Sequence, residues 1–395
     1  MKIGMYTTVG DRCGIAAYTQ ALVNALRLLP ETEVEIVPIT EGKQSREHYL
    51  AIAERLNADD IDVVHVQHEH SFWGGILPGH SAYWEFRYLI TKPIVLTAHT
   101  TYTAEEMLRY RTERRLLKKL AKWVLLRNHA WVDSVQIAPF VTAVTIVHTE
   151  EAKQQLVGRG ADPKFIHVLP AGVPEVVAAA TGGEAFRRRF GLEGYRLITI
   201  FGYTAPNKGY ELTLKLLPSL PEDVKLVIAG GPRNAAMEPY FAQLVRAIES
   251  SGERHRVIVT GYLPDEEVAE AMAASTVVLA PHTEATGSYS VTIPLAYGKA
   301  VLASDLACFR EIVGRIACLE LFRSGDVEDF RRHLHQLLND ESRRATLERL
   351  AKEYAERYSW PRIAQQTRCI YEEAIQVYAP VYRRPYTLVG KRGSS

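Results

Sequence analysis

The sequence has few of the features that mark exported, membrane-spanning or nucleic-acid-binding proteins. It has only four cysteines in 395 residues, scattered without the close spacing of a zinc or redox site, which favours reduced thiols and a cytoplasmic protein. No run reaches the ~18 apolar residues of a membrane span. The start MKIGMYTTVG has too short an apolar run for a signal peptide. A formal net charge of only +1 disfavours a nucleic-acid partner.

Metal-binding patterns are also scarce. The stretch VVHVQHEHSFWGG contains His65, His68, Glu69 and His70, but no complementary His or Cys cluster stands elsewhere at a spacing typical of zinc sites. We therefore expect no metal, with a zinc site as the weaker alternative. These residues are interpreted as polar side chains at the end of a strand, where a ligand can approach.

What the chain does have is a regular alternation of short apolar runs and amphipathic segments. The predicted strands are KIGMYT, EVEIVPI, DVVHVQ, PIVLTAHT, AVTIVH and FIHVLP in the first half, and RLITIFGY, KLVIAGG, RVIVTGY, TVVLAPH and AVLASD in the second. Strands that are apolar throughout and spaced by helices indicate parallel sheets covered on both faces. The sequence therefore predicts an α/β protein with two doubly wound, Rossmann-like domains.

The domain boundary is predicted from composition. PAGVPEVVAAATGGEAF is rich in Ala, Gly and Pro and reads as a linker near residues 172–184. We expect a first domain over residues 1–174, a second over 185–365, and a C-terminal helix and tail over 366–395 that packs back on the first domain. The carboxyl ends of the strands of two such domains would face a central cleft, the usual ligand site of this architecture.

The stretch PHTEATGSYSVTIPLAYGKAV (281–301) has the clearest pattern of a ligand-binding turn in the sequence. It leads from a predicted strand through a Gly-Ser turn into a predicted helix that contains Pro294 in its first turns, where a missing N–H costs least. The free N–H groups of Ser288, Tyr289 and Ser290 would point at an anion, which the helix dipole favours. An ordinary turn between a strand and a helix is the alternative.

Two further loops have the same layout. In FGYTAPNKGYEL (201–212), Lys208 precedes a helix and could neutralise a diphosphate, although a solvated lysine is about as common in such a turn. In GDRCGIAAYTQAL (10–22), Gly14 would let the backbone approach a ligand closely. His99 ends the apolar strand in VLTAHTTY, at the cleft edge, or is simply held by a backbone carbonyl.

The segment RYRTERRLLKKLAKWVLLRNHAWV (109–132) is basic and amphipathic. It could rest on an anionic membrane. A packed helix with a solvated basic face is the alternative reading.

Taken together, the ordered pieces GIAAYTQAL, DVVHVQ, VLTAHTTY, VLPAGVP, FGYTAPNKG, LVIAGG, VTGYLPDEEV and APHTEATGSYSVTIPLAYGKAVLASD resemble the retaining glycosyltransferases of family 4, which have the two-domain GT-B architecture. The resemblance covers roughly residues 2 to 375. Each piece alone is a weak signal, whereas their order and spacing across two domains are specific.

The resemblance implies roles for individual residues. Gly14 matches the glycine loop that faces the donor diphosphate and the acceptor, and His99 matches the histidine near the donor sugar. Lys208 matches the lysine that neutralises the diphosphate. Glu284 matches the first Glu of the second-domain motif, beside the sugar, and Gly287 begins the loop that binds the phosphates.

The remaining expected contacts follow the same motifs. Contacts with the nucleotide sugar are expected from Tyr203, Asn207, Ser288, Tyr289, Ser290 and Thr292. Contacts with the acceptor are expected from His68, Glu69 and Tyr102.

The sequence departs from the family pattern at two places. Tyr203 stands where the family usually has an arginine, so the diphosphate loses one cation. The second Glu of the motif, which holds the ribose, is replaced by Thr292, or by Ile293 if the loop is one residue longer. Ser290 or Thr292 could supply a weaker ribose contact.

The resemblance implies transfer of a sugar from a nucleotide-diphosphate sugar to a sugar, glycan or lipid-linked acceptor, with retention at the anomeric carbon. No cofactor and no metal are implied, the nucleotide sugar being a co-substrate. A cytoplasmic protein, peripheral at the inner face of the membrane through residues 109–132, is expected. The alternatives are a degenerate protein that binds a nucleotide sugar without turnover, and a nucleotide-sugar epimerase on the same architecture.

Overall fold

The computed structural model describes residues 1–10, 14–74, 81–101, 120, 123–124, 127, 136–285 and 289–381. The chain forms two compact units, one made of Met1–Leu169 with the chain from Ala364 onward, and the other of Pro170–Ile363. Each contains one parallel six-stranded sheet, which confirms the predicted pair of doubly wound α/β domains.

The first unit is built on a sheet with strand order β2-β1-β3-β4-β5-β6. Its strands are β1 (Lys2–Thr7), β2 (Glu33–Pro38), β3 (Val63–His68), β4 (Ile94–Ala98), β5 (Val144–Val147) and β6 (Ile166–Val168). Every residue of β3 and β4 is buried, polar ones included, because helices cover both faces of the sheet. Polar side chains on these strands must therefore find partners inside the protein.

The described helices of the first unit include two that begin with side-chain caps. They are α1 (Gly14–Arg27), α2 (Arg46–Leu56), α3 (Tyr83–Leu89) and α4 (Glu150–Val157). Ser45 caps α2 by accepting the His48 N–H, and Thr149 caps α4 by accepting the Ala152 N–H. Helix α1 follows β1 and α4 follows β5, so both begin at the carboxyl edge of the sheet, where ligands of such folds bind.

The second unit has strand order β12-β11-β10-β7-β8-β9, again all parallel. Its strands are β7 (Arg196–Phe201), β8 (Val224–Ala229), β9 (Val257–Val259), β10 (Val277–Ala280), β11 (Val301–Ser304) and β12 (Leu319–Phe322). The sequence patterns did not predict β12, which is a short edge strand carrying a charge. Its Glu320 is bound by Arg343 and by His333 Nδ1, at 2.5 Å from the latter, so the carboxylate is paired within the protein.

The helices of the second unit alternate with these strands. They are α5 (Glu184–Phe190), α6 (Tyr210–Leu216), α7 (Glu238–Ser250), α8 (Asp265–Ala274), α9 (Tyr289–Ala296), α10 (Ala307–Arg315), α11 (Val327–Asn339) and α12 (Glu341–Arg357). Asp326 and Asp340 cap α11 and α12 through their side chains. Helices α6 and α9 follow β7 and β10, which places their first residues at the carboxyl edge of this sheet.

The last described helix, α13 (Trp360–Val381), begins in the second unit and belongs to the first from Ala364 onward. In the first unit, Arg368 donates to the Pro30 carbonyl at 2.7 Å, and the Tyr378 hydroxyl donates to the Thr91 carbonyl at 2.6 Å. Tyr371 is fully buried there. None of the helices in the described part of the chain is long and apolar enough to cross a membrane.

Candidate functional site

In the second unit, the loop after β7 and the turn after β10 are bound to each other through Asn207. The Thr283 N–H donates to the Asn207 carbonyl at 3.0 Å, and Asn207 Nδ2 donates to the Glu284 carbonyl at 3.0 Å. The structure therefore brings together three predicted site residues, since Lys208 is the next residue of the same loop. Asn207 acts here as the connection between the two loops, a role that sequence alone did not indicate.

Gly209 sets how closely the two loops approach. It has φ of 73° and follows a 3₁₀ turn over Pro206–Lys208, and a Cβ atom at this position would lie 1.8 Å from the carbonyl oxygen of Pro281. Both the left-handed backbone and the close approach require glycine. Helix α6 starts directly afterwards at Tyr210, so Lys208 stands just before its first turn.

Lys208 lies in surroundings that disfavour its charge. Burial lowers the pKa of Lys208 to about 8. The neighbouring His282 is buried, and burial together with the charge of Lys208 lowers the pKa of His282 to about 3. The His282 ring stacks on Phe309 with centroids 5.5 Å apart. At neutral pH the site therefore holds one lysine cation beside an uncharged histidine, an arrangement that an incoming anion would stabilise.

Glu284 and Tyr203 lie at the surface. Glu284 is exposed, and its backbone carbonyl rather than its carboxylate receives the Asn207 amide. Tyr203 is 42% exposed, at the position where the family pattern has an arginine. Both side chains are open to a ligand, and their roles stay predictions.

The helix start after β10 is only partly described. Gly287 and Ser288 lie outside the described residues, and Tyr289 and Ser290 are the first two described residues of α9. Thr292 is buried within α9, at 6% exposure, which does not favour the ribose contact suggested for it. Phosphate binding by these amides stays a prediction.

The position of Pro294 differs from the expectation. It is the sixth residue of α9 and lies in the second turn rather than at the start. An interior proline removes the hydrogen bond to the carbonyl four residues earlier, that of Ser290, so its cost is not avoided. The helix is held by tertiary packing instead, since Val291 and Leu295 are both buried in the core of the second unit.

The sequence patterns did not identify the backbone at Gly230 and Gly231, which lies at the same sheet edge. The Thr204 N–H donates to the Gly231 carbonyl at 2.9 Å, and a Cβ atom on Gly230 would lie 2.0 Å from the Gly202 carbonyl oxygen. Tyr262, which follows β9, is 73% exposed. The glycine pair in LVIAGG was the available signal, because adjacent glycines after a strand indicate close backbone approach.

In the first unit, His99 continues directly from β4 and is held on several sides. Its backbone N–H donates to the His68 carbonyl at 3.2 Å, and its ring atom Nε2 lies 2.8 Å from Gln67 Oε1. Its ring is 5.2 Å from Tyr18 and 5.5 Å from His148, measured between centroids. Burial, assisted by His148 and His65, keeps the pKa of His99 well below its usual range. His99 is therefore neutral at physiological pH and can offer one donor and one acceptor.

Glu69 is held at the end of β3 by short hydrogen bonds. Its Oε2 accepts the Thr100 hydroxyl at 2.7 Å and its Oε1 accepts the His70 N–H at 3.0 Å. Burial raises the pKa of Glu69, and these hydrogen bonds oppose that rise. The carboxylate is thus oriented at the edge that was predicted to face the acceptor.

His68 points into the core rather than to the edge. It is fully buried, and its ring contacts those of His70, Trp73, Tyr83 and Phe140. A side chain enclosed in this way cannot reach an acceptor in this conformation, so the structure favours a packing role for His68. The alternation of side chains along β3 could not reveal this because both faces of the strand are buried.

Gly14 is exposed and begins α1, with no atom close to the position of a Cβ, so the structure does not show why glycine is needed there. Tyr102 and most of the segment 109–132 lie outside the described residues. Within the described ranges no group of three or more His, Cys, Asp or Glu residues could hold a metal ion. The expectation of no metal stays a prediction.

Both halves of the chain match family models of glycosyltransferases. Residues 27–176 match the model described as Glycosyltransferase Family 4, and residues 183–354 match Glycosyl transferases group 1. The D-inositol 3-phosphate glycosyltransferase of Xylanimonas cellulosilytica is 30% identical over 62% of this chain and 60% of its own length. The enzyme of the same name from Streptomyces bingchenggensis is 26% identical over 93% of this chain and 86% of its own.

Solved structures share the fold. HepE of Anabaena, crystallised with UDP, has a TM-score of 0.72 at 14% identity, covering 94% of this chain and 100% of that one. The same protein has also been crystallised with UDP-glucose. With both sheets parallel and each half matching its family model, the chain has the GT-B fold.

The contact of Gly209 with Pro281 predicts the effect of a single added carbon. Gly209→Ala should lower the free energy of unfolding by more than the ~1 kcal/mol that a strained glycine position alone accounts for, because the methyl group also collides with a carbonyl oxygen. Gly191→Ala is the matched control, since Gly191 also has positive φ, at 63°, but nothing near its Cβ position. Chemical denaturation of both variants measures the difference. Equal losses would show that the close approach of the loops does not constrain the site.

Proposed function

We propose that this chain, a family-4-like glycosyltransferase of the GT-B fold, transfers a sugar from a nucleotide-diphosphate sugar to an acceptor hydroxyl with retention at the anomeric carbon. The observation that carries the proposal is the link through Asn207, which joins the Lys208 loop to the turn of Glu284. This link puts a cation and a carboxylate-bearing turn at one edge of a parallel sheet, where ligands of such folds bind.

Stabilisation of the leaving group is the main chemical task. A nucleoside diphosphate gains negative charge as its bond to the sugar breaks, and preorganised donors are most effective where that charge develops. Lys208 is the proposed cation. The first amides of α9, together with those of Gly287 and Ser288, are the proposed hydrogen-bond donors, since a helix N-terminus favours an anion. Because Tyr203 replaces a second cation, the chemistry depends heavily on Lys208.

Retention follows if the acceptor attacks the same face of the sugar from which the leaving group departs. In that scheme the leaving phosphate takes the acceptor proton, and no protein nucleophile is needed. Glu284 then orients sugar hydroxyls rather than forming a covalent bond, which agrees with its carboxylate being exposed and unshielded. His99, neutral because of its lowered pKa, can exchange hydrogen bonds with sugar hydroxyls without adding charge near the anomeric carbon.

The donor and acceptor classes are proposed from the relatives. HepE has been crystallised with UDP and UDP-glucose, which supports a UDP-hexose as the first donor to test. Relatives named D-inositol 3-phosphate glycosyltransferase support a polyol phosphate as acceptor. Thermal-shift screening of UDP-, GDP- and ADP-sugars would identify the donor, because a ligand that binds only the native state raises the melting temperature.

A peripheral contact with an anionic membrane is part of the proposal. In the segment 109–132, the helical residues Leu120, Trp123, Val124 and Arg127 are exposed and spaced so that they share one face. The Arg127 guanidinium lies 4.4 Å from the centre of the Trp123 ring. An exposed aromatic and apolar face that carries Arg127, in a segment whose sequence is rich in Lys and Arg, suits the interface of an anionic lipid surface.

Removing the Lys208 charge should abolish most transfer. Lys208→Ala is expected to lower kcat by about 100- to 1,000-fold, the usual effect of losing one preorganised donor to a developing anion. Lys215→Ala, which removes an exposed lysine from α6, is the matched control and should retain activity. The assay follows nucleotide release with and without acceptor and analyses the sugar product.

Three results of this assay would contradict the proposal. Unchanged kcat in Lys208→Ala would reject its role at the diphosphate. Conversion of the donor alone into an epimer would favour the epimerase alternative. Tight binding of the donor with no release of nucleotide under any condition would favour a degenerate binding protein.

Donor affinity should depend on pH through Lys208. Since the pKa of Lys208 is about 8 before the donor binds, Lys208 is charged at pH 7 and loses its proton as the pH rises, so affinity for the diphosphate should fall above pH 8, by up to tenfold per pH unit. Lys208→Arg keeps its charge throughout this range and should show no such fall. Isothermal titration of both proteins between pH 7 and about 9.5 makes the comparison and cancels ionisation of the nucleotide base. Parallel curves would show that Lys208 does not bind the diphosphate.

Membrane contact should require the exposed face of the basic segment. The protein is expected to cosediment at low salt with vesicles containing an anionic phospholipid and to dissociate as salt is raised. Trp123→Ala should weaken this binding, whereas Tyr88→Ala, which removes an exposed aromatic side chain from α3, should not. Absence of cosedimentation at low salt would reject the membrane contact.

A further inference from the structure

A chain of buried polar side chains runs through the first unit from α13 to His99. The Tyr371 hydroxyl lies 2.6 Å from His65 Nδ1, and His65 Nε2 lies 2.8 Å from Thr97 Oγ1 and 3.3 Å from Gln67 Nε2. Gln67 Oε1 then lies 2.8 Å from His99 Nε2. Tyr371, His65, Gln67 and Thr97 are all fully buried, so no water competes for these hydrogen bonds.

The sheet brings these residues together. His65 and Gln67 are two residues apart on β3 and therefore point to the same face. Thr97 on β4 is the register partner of Gln67, so it lies beside the same pair. Tyr371 comes from α13, more than 300 residues away in the sequence, and its ring packs edge-on against His65 with centroids 5.4 Å apart.

The partners determine which atom carries each proton. The amide nitrogen of Gln67 faces His65 Nε2 and also Met5 Sδ, at 3.5 Å, so its amide oxygen faces His99. His99 Nε2 must then carry a hydrogen to donate to that oxygen. His65 Nε2 accepts from Gln67 and Thr97, which leaves the His65 proton on Nδ1, where it is donated to Tyr371.

We propose that Tyr371 and His65 are positioning residues that act through Gln67 to hold His99 with its proton on Nε2. In this tautomer His99 Nδ1 is a bare acceptor. The hydrogen bonds shown by the structure leave it without a partner among the described residues, and His99 is partly exposed. A hydroxyl of the donor sugar could therefore donate to Nδ1, which is where this inference rests on the proposed function.

The opposite arrangement of protons is the natural competitor. If the Gln67 amide turned over, its oxygen would accept a proton from His65 Nε2 and its nitrogen would face His99 Nε2. His99 would then carry its proton on Nδ1 and could no longer accept there. Met5 Sδ opposes this change, because a thioether has no hydrogen to donate to the Gln67 oxygen. Tyr371 makes the original arrangement possible, because its hydroxyl accepts the His65 Nδ1 proton, which would otherwise be a buried donor without an acceptor.

Removing the Tyr371 hydroxyl tests the chain at its far end. In Tyr371→Phe the His65 Nδ1–H would have no acceptor, so moving that proton to Nε2 and turning Gln67 becomes favourable. We expect His99 to change from the Nε2–H to the Nδ1–H tautomer. Long-range ¹H–¹⁵N correlation spectra of the full chain with ¹⁵N-labelled histidine distinguish the two forms, and a His99 variant assigns the signals. Tyr49→Phe is the matched control, because Tyr49 is also buried and its hydroxyl also makes a hydrogen bond, to the Gln44 N–H at 3.2 Å.

A second substitution should restore the original tautomer. In the double variant Tyr371→Phe with Gln67→Glu, the introduced carboxylate can accept from both histidines and has no N–H to present to His99. His99 should therefore return to Nε2–H. If Tyr371→Phe does not fold, Gln67→Leu removes the acceptor of His99 directly and should give a mixture of the two tautomers.

The outcomes separate this inference from the proposed function. An Nδ1–H tautomer in the wild type, an unchanged tautomer in Tyr371→Phe, or a pure Nε2–H form in Gln67→Leu would overturn the inference. If the tautomer inverts and kcat/KM for the donor falls by about tenfold, the size of one lost hydrogen bond, both are supported. If the tautomer inverts while transfer is unchanged, the buried chain is supported and the sugar contact of His99 in the proposed function is rejected.

Discussion

The contact between Gly209 and the Pro281 carbonyl sets the geometry on which the second-unit site depends. Only a residue without a side chain allows the loop after β7 to approach the turn after β10 so closely. At this separation the side chain of Asn207 spans the gap and fixes the backbone at Glu284. Lys208 lies between Asn207 and Gly209, so its backbone is held beside the turn. The position of the cation is thus a consequence of backbone packing.

Burial gives that cation its chemical character. A lysine in water is charged far above neutral pH, whereas the pKa of Lys208 is about 8 because its surroundings are poor in water. His282 beside it is uncharged, because burial and the charge of Lys208 lower the pKa of His282 to about 3. Burial deprives the Lys208 ammonium group of favourable hydration, and an anion that pairs with it compensates for that loss. The proposed diphosphate site relies on Lys208 on this basis, since Tyr203 stands where the family pattern has an arginine.

Burial also determines the chemistry of the first unit, where it acts on polar side chains within the sheet. Strands buried on both faces carry His65, Gln67 and Thr97, and each polar atom needs a partner inside the protein. The partners come from neighbouring strands and from α13, and together they define one set of proton positions that ends at His99. His68 is enclosed by aromatic rings instead. Burial holds the pKa of His68 well below its usual range, so its ring is neutral.

Much of the architecture was determined by the sequence alone. Apolar runs spaced by helices predicted eleven of the twelve strands and two parallel sheets, because strands covered by helices are mostly apolar. The sequence did not predict β12, whose four residues include a charge, the enclosure of His68, or the position of Pro294 in the second turn of α9. Motif order also selected Lys208, Glu284 and His99. Tertiary structure alone decided how these residues are held: through Asn207 and Gly209 in one unit, and through Tyr371 in the other. Such contacts join residues distant along the chain, and local pattern carries information only about neighbours, so they become visible only in the folded protein.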